Sequence, residues 1–225
     1  MKSVVAKLFL LSMAIGGLNQ WTNAQNLNTT AKEDPGYVKV IQQRVSKIVE
    51  PLHLKNQDKA GKVQRVIEQQ YFDLNRIDQN KQTALSAVKT GTQAKQAEKA
   101  EMARINENAT ASVDSLHPHF VSRLNKLLNK DQVAEVKDGM TYHTLEVTYG
   151  AYTDMLPQLT SKQKKQIMQW LEEAREHAID GGSSKEKHAW FGKYKGRINN
   201  YLSKSGIDMK EAEVAWKKRR DSAGK

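Results

Sequence analysis

Residues 186–202, EKHAWFGKYKGRINNYL, gather four aromatic side chains, four lysines or arginines and a histidine within seventeen positions. That set suits one kind of chemistry best. A sugar ring bearing a carboxylate needs a flat aromatic to stack on, cations to pair with the carboxylate, and amides to read its hydroxyls. Trp190 offers the platform, Lys187, Lys193, Lys195 and Arg197 the cations, and Asn199 and Asn200 the amides. These seven are the expected ligand-binding residues. If such a ligand is also cleaved, β-elimination fits these residue types. A cation neutralises the carboxylate and a base takes the neighbouring proton. Arg197 or Lys193 suits the first role and His188, Tyr194 or Tyr142 the second, so the last three are the catalytic candidates. The competing reading is a core helix whose basic stems run past apolar surface.

A second cluster, EEAREHAID at 172–180, contains paired carboxylates of the kind that serve as acid and base in glycoside hydrolysis. A solvated, charge-rich helix face has the same appearance and is the favoured reading. The six histidines (53, 117, 119, 143, 177 and 188) show no zinc spacing, so no metal is expected. Neither a nucleophile elbow, a phosphate loop nor a dinucleotide fingerprint is present, and no cofactor is expected.

These side chains must be held by helices. At about 100° per residue, Phe191, Tyr194, Ile198 and Leu202 fall on one inward stripe. Trp190, Tyr201 and Arg197 lie on one shoulder of it, and His188, Lys195 and Asn199 on the other. Gly192 and Gly196 sit one turn apart beside this second shoulder. Glycine inside a helix costs roughly 1 kcal/mol relative to alanine, so the pair implies close approach of another segment or a ligand.

Three-four spacing runs through the whole chain and no segment alternates, so the expected fold is all-α. Val38, Ile41, Val45 and Ile48 mark a first helix that Pro51 ends. A second runs from about Asp58 to Lys89, followed by a turn at Gly91. A third carries Met102, Ile105, Leu116, Phe120, Leu124 and Leu127, with a bend expected at Pro118. The second and third form a long antiparallel hairpin projecting from the body, each arm roughly 48 Å long. Aromatics concentrate after residue 138, which points to a compact C-terminal helical part holding the core and any ligand surface. Thr160 with Gln163, Ser183 with Glu186 and Asp208 with Glu211 read as capping boxes, and Asn129 with Gln132 as a weaker one. The segment MTYHTLEVTY near 140–149 is the one place for a short strand or extended loop.

Residues 1–24 read as a secretory signal peptide: Lys2 and Lys7, the apolar run LFLLSMAIGGL, then small residues at Thr22–Ala24. The remaining 25–225 read as one helical domain. It divides into the N-terminal helices with the hairpin (34–136), the aromatic-rich part carrying the site (137–216) and a basic tail (217–225). The chain has no cysteine, which excludes disulfides, thiol chemistry and cysteine-ligated metals. The formal charge of +11 falls to +9 without Lys2 and Lys7. For an exported, periplasmic or secreted protein this balance favours acidic partners: uronate-containing oligosaccharides or polysaccharides, or an anionic membrane surface. A charge that only keeps the protein soluble is the equal alternative. Nucleic acid and stable membrane insertion are not expected, and a homodimer is permitted.

The run KDGMTY, followed by TDMLPQLTSKQKKQIMQWLEEAREHAIDGGSSKEKHAWFGKYKGRINNYL, resembles the exported bacterial family filed as domain of unknown function 3826. The similarity is strong over about 137–208. It implies a secreted protein of polysaccharide-degrading Gram-negative bacteria, associated with glycans such as pectin. It carries no established activity, and it places Asp138, Tyr142, Lys187, His188, Trp190, Lys193, Tyr194, Arg197 and Asn200 in a signature region. A shorter stretch, Leu159-Thr160-Ser161-Lys162-Gln163, is similar to the LTxxQ motif of periplasmic chaperones of the Spy and CpxP type. That similarity implies the alternative function, an envelope-stress chaperone or helical interaction scaffold.

Overall fold

Ile41, Val45 and Ile48 recur at four and three residues, so they share one face of α1 (Pro35–Val49) and bury it. The computed structural model describes residues 33–89 and 95–224. The expected signal peptide and the turn at Gly91 lie outside them. Pro51 stops α1, and a 3₁₀ turn at Glu50–Leu52 ends on His53 in the left-handed region (φ 46°).

Helices α2 (Gln57–Lys89) and α3 (Lys95–Asn125) form the antiparallel hairpin. α2 spans 33 residues, roughly 50 Å at 1.5 Å per residue. Val63, Val66, Ile67 and Tyr71 bury the base of α2 against α1, while α3 adds Phe120 and Leu124. Farther out, Val88 on α2 and Ile105 on α3 are the buried apolar side chains. α3 continues through Pro118 without interruption. α4 (Lys130–Met140) closes this first core with Val133, Val136 and Met140. Its Asn129–Gln132 capping box is complete, with both reciprocal hydrogen bonds made.

The segment expected to be extended is a turn followed by a helix. The amides of Thr141 and His143 donate to the Asp138 carbonyl, and the Thr141 hydroxyl donates back to the Lys137 carbonyl (2.8 Å). α5 (Thr144–Met155) then begins at once. β-branched and aromatic residues favour strands only where a sheet surface exists to receive them. Among the described residues there are eight α-helices and no strand.

α5, α6 (Ser161–Ala178), α7 (Ser184–Lys204) and α8 (Met209–Ser222) surround a second core. Phe191, Tyr194, Ile198 and Leu202 are all buried in it, as their spacing requires. Complete capping boxes start α6 and α7, whereas Asp208 accepts from the Lys210 and Glu211 amides without a reciprocal bond. The expected basic tail is folded. Lys217–Arg220 lies within α8, where Arg219 donates to the Asp154 and Met155 carbonyls and Trp216 Nε1 to the Asp154 carboxylate (2.7 Å).

A polar seam joins the two cores. Asp180, after α6, accepts from Gln70 Nε2 of α2 (2.9 Å), and its other oxygen meets His117 Nδ1 of α3 (2.5 Å). Lys137 pairs with Glu176 and Arg175 with Asp138, both at 2.6 Å. From Pro35 onward the chain forms one compact unit.

Candidate functional site

The seam borders a pocket of about 220 Å³ lined by Tyr37, Arg44, Tyr71, Leu74, Tyr142, Gly181–Ser184 and Lys187. Each wall has a local cause. Tyr37 and Arg44 are seven residues apart, two turns along α1, beside the buried Ile41–Val45–Ile48 stripe. Tyr71 follows the Val63–Ile67 stripe of α2. Lys187 lies one turn into α7, and Ser183 and Ser184 form that helix's start.

Charge on the walls has one sign. No aspartate or glutamate among the described residues lines the pocket. Among the described residues, neither Arg44 nor Lys187 forms an ion pair with a carboxylate. Lys187 is 2 % exposed and donates to the carbonyls of Ala178 (3.1 Å) and Ile179 (3.0 Å) at the end of α6. Burial lowers its pKa to about 8; Asp180 opposes the shift and Arg44 adds to it. Gly181 makes this burial possible, because a Cβ there would meet the Lys187 amide and Cγ at 3.1 Å.

Tyr71 is 6 % exposed, and its buried hydroxyl has the Arg44 guanidinium as its neighbour, close enough to act on its pKa as a hydrogen-bond donor but outside ideal hydrogen-bond geometry. Burial pushes its pKa up to about 12, although the nearby Arg44 guanidinium offsets part of that. A buried hydroxyl left unsatisfied costs about 1–3 kcal/mol, which the adjacent guanidinium offsets in part. The Tyr71 ring is flanked by both cations, the Arg44 guanidinium carbon at 5.5 Å and Lys187 Nζ at 5.8 Å from its centroid.

Tyr142 and His143 both occupy left-handed backbone, with φ of 60° and 52°. For residues other than glycine this costs roughly 1–2 kcal/mol each. Tyr142 is 42 % exposed and stacks on His188, ring centroids 5.7 Å apart. Strained backbone therefore presents this tyrosine at the pocket.

Of the residues singled out by sequence, Lys187 and Tyr142 line this pocket, and His188 joins it through its stack on Tyr142. The others are distributed elsewhere. Trp190 stacks on His177 (4.4 Å) with Lys193 Nζ 4.8 Å from its ring, and it lines a separate groove. Arg197 lies over Trp170 (4.6 Å) and pairs with Glu173 (3.1 Å). Tyr194 is buried in the second core, and burial raises its pKa. The Asn199 side chain and the Lys195 carbonyl accept from the Tyr152 hydroxyl at 2.6 and 3.3 Å. Asn200 is exposed. Lys193, Lys195, Arg197, Asn199 and Asn200 line neither cavity.

The two glycines of α7 do not mark a close approach. A Cβ at Gly192 or Gly196 would meet nothing within 4 Å. Sequence reasoning missed Arg44, Tyr37 and Tyr71 altogether. The available signal was an arginine and a tyrosine two turns apart, adjoining an apolar stripe.

Fold and pocket together define an all-α protein in which a small, cationic, tyrosine-walled cavity adjoins the seam between two helical cores. The family model described as "Protein of unknown function (DUF3826)" matches residues 38–222, and the chain belongs to that family. Comparison with curated proteins gives no match.

Proposed function

We propose that this is an exported protein of polysaccharide utilisation that binds acidic, uronate-containing oligosaccharides, with the sugar carboxylate held between Arg44 and Lys187. One observation carries this reading: two cations, neither with a carboxylate partner among the described residues, converge on one cavity beside the ring of Tyr71. A carboxylate accepts charge-assisted hydrogen bonds from both cations. Tyr37 and Tyr142 supply flat faces for the ring. The volume lies below the roughly 300–1,000 Å³ of drug-sized ligand sites, which suits a single sugar unit. Calorimetric titration with galacturonate and its oligomers tests the proposal. Saturable binding supports it, and the absence of heat with every uronate tried would sink it.

The strained backbone at Tyr142 favours a second, catalytic reading of the same pocket. With Arg44 neutralising the carboxylate, Tyr142 or the stacked His188 takes the proton from the adjoining ring carbon. A carbon–carbon double bond forms, the glycosidic bond breaks, and the leaving oxygen is protonated. Ultraviolet absorbance of the unsaturated product is the readout. Unchanged absorbance with polygalacturonate and related polymers would leave binding alone.

A further inference from the structure

Leu74, Gly181 and Gly182 line the cationic pocket, and they also line a second concavity of about 370 Å³. This groove opens between the hairpin (α2 and α3) and the corner where α6 passes into α7. The part of the shared wall formed by the loop is two glycines, so no side chain of theirs stands between the spaces. A Cβ on Gly182 would meet only Glu186 Oε2, at an ordinary 3.4 Å.

The groove differs from the pocket in kind. Its α6–α7 side presents the stacked rings of His177 and Trp190, 15° from parallel. Four carboxylates, those of Asp78, Asp114, Asp180 and Glu186, line it against one lysine, Lys81, which is paired with Asp78 (3.0 Å). Asp180 holds Gln70 and His117, and Glu186 Oε2 accepts the Gly182 and Ser183 amides, so Asp114 and Glu186 Oε1 are the oxygens left for a ligand. Such a surface repels a second carboxylate and accepts hydroxyl protons. The His177 and Trp190 rings cover each other and the indole also carries Lys193 Nζ (4.8 Å), so what remains uncovered of the stack meets sugar C–H groups. A neutral sugar has these properties.

We infer that the groove is the adjoining subsite and takes a neutral sugar, so that the preferred ligand joins a uronate to a neutral unit. This rests on the carboxylate reading of the pocket. The chain of the ligand crosses Gly181–Gly182, with its charged ring on the Arg44–Lys187 side and its uncharged ring against Trp190 and His177.

The test is calorimetry with four probes: galacturonate, digalacturonate, and galacturonate linked to a neutral hexose on either side. Each is titrated into the wild type, Trp190→Ala and Thr110→Trp, two positions that line the groove and not the pocket. One mixed disaccharide is expected to bind about tenfold more tightly than galacturonate, and digalacturonate no more tightly. Both substitutions should erase that gain and leave galacturonate affinity unchanged, which also shows that the variants are folded. Equal affinity for all four probes, or a gain that survives both substitutions, overturns the subsite while the pocket stands. Absence of binding by every probe overturns pocket and subsite together.

Discussion

Arg44 and Lys187 come from opposite ends of the chain to flank one ring, with the guanidinium and the ammonium 5.5 and 5.8 Å from the Tyr71 centroid. Like charges so placed repel, and Arg44 helps to depress the Lys187 pKa. A bound anion relieves that repulsion. The arrangement is destabilised when empty and improved by a carboxylate, which is the physical meaning of a preformed anion site.

The first prediction concerns pH. Lys187 has a folded pKa of about 8, below its ordinary 10.5. Carboxylate affinity should therefore fall as pH rises through about 8, and binding near pH 8 should take up protons, detectable as buffer-dependent heat. Lys187→Met should flatten the profile. The sign for stability is the reverse: burying the charged form costs most below pH 8, and the cost is relieved as pH climbs towards 10.5.

His117 supplies the second. Its hydrogen bond to Asp180 raises its pKa above 6.5, against the opposing effect of burial. The resulting stabilisation is complete below about pH 6.5 and is lost as pH rises through the elevated folded value. Thermal melting between pH 5 and 9 should show this loss in the wild type and not in His117→Gln.

Third, Gly192→Ala and Gly196→Ala should each stabilise the protein by about 0.5–1 kcal/mol in denaturant titration, since the new methyl groups meet open space in a helix. Destabilisation by either would show that α7 needs glycine for a contact absent from this description.

Fourth, Tyr142→Gly should be more stable than Tyr142→Ala by about 1 kcal/mol, because only glycine relieves φ of 60°. Both should bind uronate more weakly than the wild type. The Gly–Ala difference isolates the backbone strain, and the shared loss of binding isolates the ring that the strain presents.

Much of the fold was legible because helices declare themselves locally. The Ile41–Val45–Ile48 and Phe191–Tyr194–Ile198–Leu202 stripes, the hairpin and the Thr160 and Ser183 boxes all follow from spacing within one element. MTYHTLEVTY misled because its β-branched and aromatic residues mimic a strand. Hydroxyl hydrogen bonds from Thr141 and Thr144, and two left-handed residues, turn it into a helix entry instead. The site was half legible. Lys187 and Tyr142 stood out by type and neighbourhood, but nothing local distinguishes Lys187, which is buried, from the exposed Lys193 and Lys195 beside it. Arg44 and Tyr71 reach the pocket only through the packing of α1 and α2 against the α6–α7 corner, a tertiary fact with no local pattern. The glycines of α7 were read as contacts because an intrinsic cost was taken to need a local compensation; the structure supplies none.

The most direct measurement is titration of galacturonate oligomers into the wild type and Arg44→Ala at pH 7, with melting temperatures recorded alongside. Saturable binding by the wild type and at least a tenfold loss in the variant, about 1.4 kcal/mol, at a melting temperature no lower than the wild type's is the predicted result. Equal affinity in the two proteins, or no binding by either, would contradict the carboxylate pocket.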